Sequence, residues 1–217
     1  AISGIECILT SLRFADNVDT IPFDEIEHLL VFLEDIRRTR ITWRVKLGAL
    51  LVSRRSASAL LRRVPPAAAH DPAIILFTSG SESVPKGVPL THDNILSNIR
   101  AVLSEVPFKP DDVLFSFLPP FHSFGLTTTM LLPLLSGMRV AHYPNPNEAR
   151  RLAFGIAQWR ATLIAGTPTF VKGICRAARP GQVDSLALVV TGAERLPPDV
   201  VSAVRARAPH AVVREGY

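Results

Sequence analysis

Cysteine is nearly absent from this chain: Cys7 and Cys175 are the only two in 217 residues. Two thiols cannot build a disulfide framework of any size, and their scarcity suits a reducing compartment. Lysine is scarce too, confined to Lys46, Lys86, Lys109 and Lys172, so nearly all of the basic charge is arginine. Aromatic residues make up 7%. They do not fall in the aromatic–glycine strand pattern of RNA-binding sheets, and no nucleic-acid module is expected. No long hydrophobic run is present. The longest, residues 125–141, is broken by three threonines and Pro133, and a bilayer span needs ~20 residues. A basic region followed by an apolar run does not open the chain, so no secretory leader is expected. No internal repeat or low-complexity segment stands out.

What is present is ordinary globular material: 47% hydrophobic and 20% charged residues, enough to bury a large core. The net charge is +5 and the pI about 9.8. The arginines are scattered, with short runs at Arg37-Arg38, Arg54-Arg55 and Arg62-Arg63. They read as a solvated basic surface, the alternative being weak attraction to anionic lipid or to an acidic carrier protein.

Residues 22–39 predict one amphipathic helix, with Ile26, Leu29, Leu30, Leu33 and Ile36 on one face, acids early and arginines late. A second helix is expected over 43–61, followed by a Pro/Ala-rich linker at 64–72. Beyond it, strand and helix alternate. Residues 73–78 read as a buried strand, and Thr91 caps a helix with Ile95, Ile99, Val102, Leu103 and Val106 inward. Strands are expected at 113–118, 138–143, 162–165, 186–191 and 211–214. Helices are expected near 126–135, at 148–159 and 170–178, and from Pro197-Pro198. Continuous apolar strands alternating with helices predict an α/β fold, a mostly parallel sheet flanked by helices on both faces. Ligands of such sheets gather at the carboxyl ends of the strands.

The segment from Phe77 through Thr78-Ser79-Gly80-Ser81-Glu82-Ser83-Val84-Pro85-Lys86-Gly87-Val88 carries the most chemistry. A strand runs into a loop of hydroxyl and glycine residues that ends on a lysine. Successive backbone N–H groups in such a loop can form an anion-binding concavity. Thr78, Ser79 and Ser81 add hydroxyls and Lys86 a positive charge, a combination that suits a polyphosphate. It is not a Walker-type P-loop, because Lys86 is followed by Gly87 and an apolar Val-Pro-Leu run rather than by a Ser or Thr for magnesium.

This loop resembles the signature of the adenylate-forming acyl and aryl ligases, usually Thr-Ser-Gly-Ser/Thr-Thr-Gly-x-Pro-Lys-Gly-Val. With Glu82 after Ser81 it is similar to the acyl-ligase half of bacterial 2-acylglycerophosphoethanolamine acyltransferase, an acyl-acyl-carrier-protein synthetase. One departure stands out: Ser83 occupies a position where the family usually has Gly. A side chain costs about 1 kcal/mol where positive φ is needed.

Three further motifs carry the resemblance. Leu118-Pro119-Pro120-Phe121-His122-Ser123-Phe124-Gly125 is similar to the family's second signature. Thr191-Gly192-Ala193-Glu194 resembles its adenine-side turn. Glu215-Gly216-Tyr217 resembles the start of the motif whose aromatic ring stacks on adenine, and Thr167 opens a turn that in relatives lines the acyl channel.

The resemblance implies that Thr78, Ser79, Gly80, Ser81, Glu82, Lys86 and Gly87 hold the ATP phosphates. Gly192, Ala193, Glu194, Glu215, Gly216 and Tyr217 would frame adenine, while Phe121, His122 and Thr167 would border the acyl chain. Lys86 and His122 are the candidate catalytic residues, though carboxylate attack on phosphorus asks no general base of His122. No metal ligands are assigned. Residues 1–70 are expected to form a helical lead-in and 71–217 the nucleotide- and acyl-binding part of one large domain, with the small C-terminal lid domain absent.

The implied reaction of an intact enzyme uses ATP and Mg2+ to turn a fatty acid into acyl-AMP. The acyl group then passes to a thiol of acyl carrier protein or CoA. Cytoplasmic location is expected, with room for peripheral attachment at the cytoplasmic membrane face. In relatives the Thr-Glu pair, the ribose-binding Asp and the catalytic lysine follow the last matched motif, so this stretch alone is expected not to turn over. The alternatives are a non-catalytic nucleotide- or acyl-binding module and a fragment of an acyl-CoA or aryl-CoA ligase.

Overall fold

The computed structural model describes residues 4–16, 23–78 and 85–216, arranged as two compact units, Ala1–Ala68 and Ala69–Tyr217.

In the first unit, β1 (Ile8–Thr10) leads into the short helix α1 (Leu12–Ala15), whose first turn is capped by the Ser11 hydroxyl accepting from Phe14 N–H at 3.1 Å. The single helix expected over 22–39 is in fact three pieces: α2 (Phe23–Ile26) with a 3-10 turn (Glu27–Leu29), β2 (Leu30–Phe32), and α3 (Leu33–Thr39). Leu30-Val31-Phe32 pairs in parallel with Ile8-Leu9-Thr10. A β-branched and an aromatic residue suit that ladder better than a helix interior. The helix expected over 43–61 likewise divides into α4 (Trp43–Ser53) and α5 (Ala57–Leu61), because Ser56 is extended between them.

The second unit opens with a two-stranded antiparallel ribbon, β3 (Pro72–Thr78) and β4 (Lys86–Thr91). The sequence reading of 73–78 as a buried strand of the parallel sheet is therefore corrected. A return connection this short can only join antiparallel neighbours, since a parallel pair needs a crossover of a dozen or more residues. Ile75 and Phe77 are consequently exposed. Thr91 then caps α6 (His92–Glu105) through a reciprocal box: its hydroxyl accepts from Asn94 N–H at 3.2 Å and its own N–H donates to Asn94 Oδ1 at 3.1 Å. Of the residues expected on the inner face of this helix, Leu103, at the border of that face, is exposed.

The remaining strands form one all-parallel sheet: β5 (Val113–Ser116), β6 (Arg139–His142), β7 (Leu163–Gly166), β8 (Leu188–Thr191) and β9 (Val212–Glu215), in spatial order β6-β5-β7-β8-β9. The crossovers are a helical stretch after β5, then α9 (Ala149–Trp159), α10 (Pro168–Ala177) and α11 (Pro198–Arg207). The first crossover comprises α7 (Ser123–Gly125), a π-helical run (Leu126–Leu131) and α8 (Leu132–Ser136).

Alternation along the strands divides the core in two. Phe115, Ile164 and Val189 pack with Leu152 and Ile156 of α9, Val171 and Ile174 of α10, and Val200 and Val204 of α11. Leu114, Leu163 and Leu188 point to the other face, with Val106, Phe108 and Met138. The α/β fold with a parallel sheet and helices is thus the observed one. Buried Asp112 ties the sheet together: it accepts from Lys109 N–H at 2.7 Å and from the Thr162 hydroxyl at 2.8 Å, and that hydroxyl accepts from Val113 N–H at 3.0 Å.

Cys175 sits in this core. Burial pushes its thiol up from an ordinary 9.0 to about 11, with Arg207 pulling weakly the other way. The native state therefore keeps the thiol protonated while the unfolded chain ionises first. Its contribution to stability is whole below pH about 9 and is lost as the pH rises toward about 11. Titration with a chromogenic disulfide near neutral pH is expected to find one fast thiol, exposed Cys7, and one released only on unfolding. Two equally fast thiols would contradict this burial.

Candidate active site

Five parallel strands put all their carboxyl ends on one edge, where Ser116 stands opposite His142, Gly166 opposite Thr191, and Thr191 opposite Glu215. The order of the sheet reverses between β5 and β7: the chain leaves β5 toward β6, then returns to the other side of β5. A reversal of this kind opens a crevice outside the strand ends, where ligands of open α/β sheets bind.

Along the second face of the sheet, reaching this edge at one end, lies a cavity of about 730 Å³. Its floor is the second sheet face, with Leu114, Leu163, Leu188 and Val190. Asn98, Val102 and Glu105 of α6 form one wall, and Phe124, Thr127 and Thr128 of the first crossover another. Ala193, Glu215 and Gly216 close the end. Apolar surface dominates, with a few polar groups at the rim, as expected for an organic ligand with one charged end. In the π-helical wall threonines bond back along the chain, a pattern that bends helices: the Thr128 hydroxyl donates to the Phe124 carbonyl and the Thr129 hydroxyl to the Gly125 carbonyl, both at 2.7 Å.

The adenine-side turn is built by close backbone approach. Gly192 N–H donates to the Gly166 carbonyl at 3.2 Å, and Gly216 N–H to the Thr191 carbonyl at 2.7 Å. A Cβ on Gly192 would lie 2.9 Å from the tip of the Phe124 ring and 3.1 Å from the Gly216 carbonyl oxygen. Ala193 has φ +66°, and with Arg160 it is one of two non-glycine residues at positive φ among the described residues. That strain, about 1–2 kcal/mol, turns Ala193 into the cavity. The two carboxylates tie loops together: Glu215 accepts from Leu196 N–H at 2.9 Å, and Glu194 accepts from the Thr169 hydroxyl at 3.3 Å.

The sequence candidates fall into three groups. Ala193, Glu215 and Gly216 line the cavity, with Gly192 directly behind. Phe121, His122 and Thr167 do not line it. Phe121 is exposed with its ring centroid 4.5 Å from that of His122, itself exposed, and Thr167 is spent as the cap of α10, accepting from Phe170 N–H at 3.4 Å. The wall is made instead by the next residues, Ser123 and Phe124.

Thr78 and Lys86 face each other as the last pair of the β3–β4 ribbon, with Gly87 opposite Phe77. Ser79, Gly80, Ser81, Glu82 and Ser83, and also Tyr217, lie outside the described residues. Among the described residues no cluster of three His, Cys, Asp or Glu could hold a metal ion, so no Mg2+ site is assigned to them. No helix among them is long and apolar enough to cross a membrane. Phe124, Asn98 and Thr128 are the wall residues that sequence reasoning passed over. Phe124 stood inside the quoted motif, and Asn98 lies one residue before the inward Ile99 of α6.

Comparison with known proteins identifies the family and the fold. The family model for AMP-binding enzymes matches residues 3–217. 4-Coumarate–CoA ligase 2 of Oryza sativa subsp. japonica is 33% identical over 153 residues, covering 68% of this chain and 27% of the ligase. 4-Coumarate–CoA ligase 1 of Arabidopsis thaliana is 28% identical over 99% of this chain and 39% of its own length. Among solved structures, the nonribosomal peptide synthetase FmoA3 superposes with a TM-score of 0.73 over 98% of this chain and 21% of its own, at 21% identity. Its AMPPNP-bound form reaches 0.62 over 71% of this chain and 17% of its own, at 24% identity. The chain spans well under half the length of each. With the match running over nearly its whole length, this chain belongs to the AMP-binding enzyme family of adenylate-forming ligases.

Proposed function

We propose that this chain is the acid- and nucleotide-binding part of an AMP-forming acid–thiol ligase whose acid is a fatty acid. The observation that carries the reading is the apolar cavity at the sheet's reversal point, closed at one end by Gly192, Ala193, Glu215 and Gly216. The acyl tail would lie on Leu114, Leu163 and Leu188, and its carboxylate would lie toward Ala193 and Gly216. Adenine would pack against the small Gly192-Ala193 turn and stack on Tyr217, worth about 1–3 kcal/mol.

Thr78, Ser79, Gly80, Ser81 and Lys86 would hold the phosphates, with Glu82 and Gly87 shaping the loop. Its hydroxyls and amides stabilise charge that develops as the carboxylate displaces pyrophosphate. Lys86 acts as a fixed cation, and His122, next to the wall residue Ser123, guards the entrance to the acyl site. Magnesium would supply charge neutralisation on the phosphates, and the thiol acceptor would be acyl carrier protein or CoA. The Ser81-Glu82 pair supports the fatty-acyl choice through its likeness to acyl-acyl-carrier-protein synthetases. An aryl acid is the second reading, favoured by the plant 4-coumarate–CoA ligase relatives.

Calorimetry tests the proposal. The chain is expected to bind ATP and a non-hydrolysable dodecanoyl-adenylate analogue, the latter more tightly than the coumaroyl analogue, while releasing no pyrophosphate from ATP and fatty acid. Lys86→Ala is expected to weaken ATP by about 10- to 100-fold, the worth of a charge-assisted contact, and to leave the acyl-adenylate nearly unchanged. If the chain bound neither ligand, the reading would fall; a preference for the coumaroyl analogue would move it to the aryl acids.

A further inference from the structure

The cavity runs along the strands, and strand register gives its length. Val140, Leu114, Leu163 and Leu188 stand in one row across four strands. Ala165, Val190 and Arg214 belong to the next row toward the carboxyl ends, and Gly216 follows two residues beyond Arg214. Met138 lies two residues before Val140, toward the amino ends. From Met138 to Gly216 is therefore six residue steps along the strands, about 20 Å at ~3.3 Å each. The helical walls run the same way. Helix α6 and the first crossover both end at the amino edge, since each leads into the start of a strand, β5 and β6.

At that far end stand Phe108 and Met138. Both line the cavity, both are half-buried, and both pack on the row of Leu114, Leu163 and Leu188. Phe108 is carried on a braced turn. Its N–H donates to the Val106 carbonyl at 2.9 Å. The residues after it are pinned by buried Asp112, which accepts from Lys109 N–H at 2.7 Å and from the Thr162 hydroxyl at 2.8 Å. A ring on so fixed a turn has few ways to move aside. Met138 donates its own N–H to the Ser136 hydroxyl at 3.3 Å, and its flexible thioether fills the gap beside the ring.

We infer that Phe108, backed by Met138, is the end wall that sets the length of the acyl chain this protein accepts. The inference rests on the fatty-acid reading above, in which the carboxylate lies toward Ala193 and Gly216, so the methyl end of the chain points to Phe108. An extended chain advances ~1.2 Å per bond, as the backbone does in covering ~3.6 Å with three bonds, so a bare floor of about 20 Å would take about 16 bonds. The ring and the thioether occupy the last part of that length. A dodecanoyl chain fills the rest, and a hexadecanoyl chain meets the ring. Glu105, exposed at the end of α6, also lines the cavity at this end, which suits a chain with an uncharged tip.

Calorimetry of the 217-residue chain with octanoyl-, dodecanoyl- and hexadecanoyl-adenylate analogues tests the inference. Each buried methylene is worth about fourfold in affinity, so dodecanoyl is expected to bind roughly 100-fold more tightly than octanoyl. Hexadecanoyl is expected to bind no more tightly than dodecanoyl. Phe108→Ala is expected to raise the affinity for hexadecanoyl by about tenfold or more and to leave octanoyl within about twofold. Phe108→Trp keeps an aromatic ring on the turn in case alanine loosens the fold. It is expected to weaken dodecanoyl by about tenfold and again to spare octanoyl. Urea unfolding of both variants reads stability separately. Affinity that keeps rising to hexadecanoyl in the unaltered chain would overturn the inference, as would Phe108 variants that shift all three analogues equally; either result leaves the fatty-acid reading standing. Binding of none of the three would overturn that reading and the inference with it.

Discussion

Gly125→Ala is expected to lower the stability of the second unit by about 3 kcal/mol or more. Helix propensity alone predicts the opposite sign, because alanine is better than glycine in a helix by about 1 kcal/mol. The reason for the reversal is local. A Cβ on Gly125 would lie 2.0 Å from the Pro119 carbonyl oxygen and 2.9 Å from its carbon. Those atoms are backbone and cannot swing aside as a side chain can, so α7 would have to leave the loop it packs on. Gly173→Ala in α10 is the matched control: its Cβ would meet Ala149 Cβ at 3.9 Å, ordinary contact, and a gain of about 0.5–1 kcal/mol is expected. Urea unfolding of the two variants decides the matter. Equal and stabilising effects would show that the Pro119–Gly125 contact does not constrain the native state.

Gly192→Ala should separate binding from folding. Its Cβ would press on the Phe124 ring tip at 2.9 Å and on the Gly216 carbonyl at 3.1 Å. The ring is the softer neighbour, and it lines the cavity, so relief pushes it into the space proposed for the acyl-adenylate. A loss of about tenfold or more in affinity for the analogue is expected, with a stability cost of about 1 kcal/mol. Calorimetry alongside urea unfolding reads both quantities. Unchanged affinity would mean that the Gly192-Ala193 turn does not border the ligand.

Both predictions concern glycines inside motifs that were visible in the sequence, yet their contacts were not. The parallel strands were legible because each is a short apolar run bounded by turn residues, and the five found begin within two residues of expectation. The capped start of α6 at Thr91 was legible for the same local reason. The lead-in was not. Residues 22–39 carry a helical stripe, but Leu30-Val31-Phe32 finds a partner strand more than 20 residues away, and pairing across the chain overrides local periodicity. The burial of 73–78 was misjudged because an apolar run looks the same in a central strand as in a two-stranded ribbon with an open side. His122 and Thr167 do not line the cavity: one is exposed and the other caps a helix, placements that only the packed structure shows.

By itself the sequence determined the chemistry on offer and the alternation of strands and helices, since both follow from residue type and spacing over a few positions. Tertiary structure alone decided which face of the sheet stays open and which side chains wall the cavity. It also decided that Phe108 and Met138 stand together at one end of it. Those outcomes depend on the order of strands and the direction of each crossover, quantities that no local run of residues encodes.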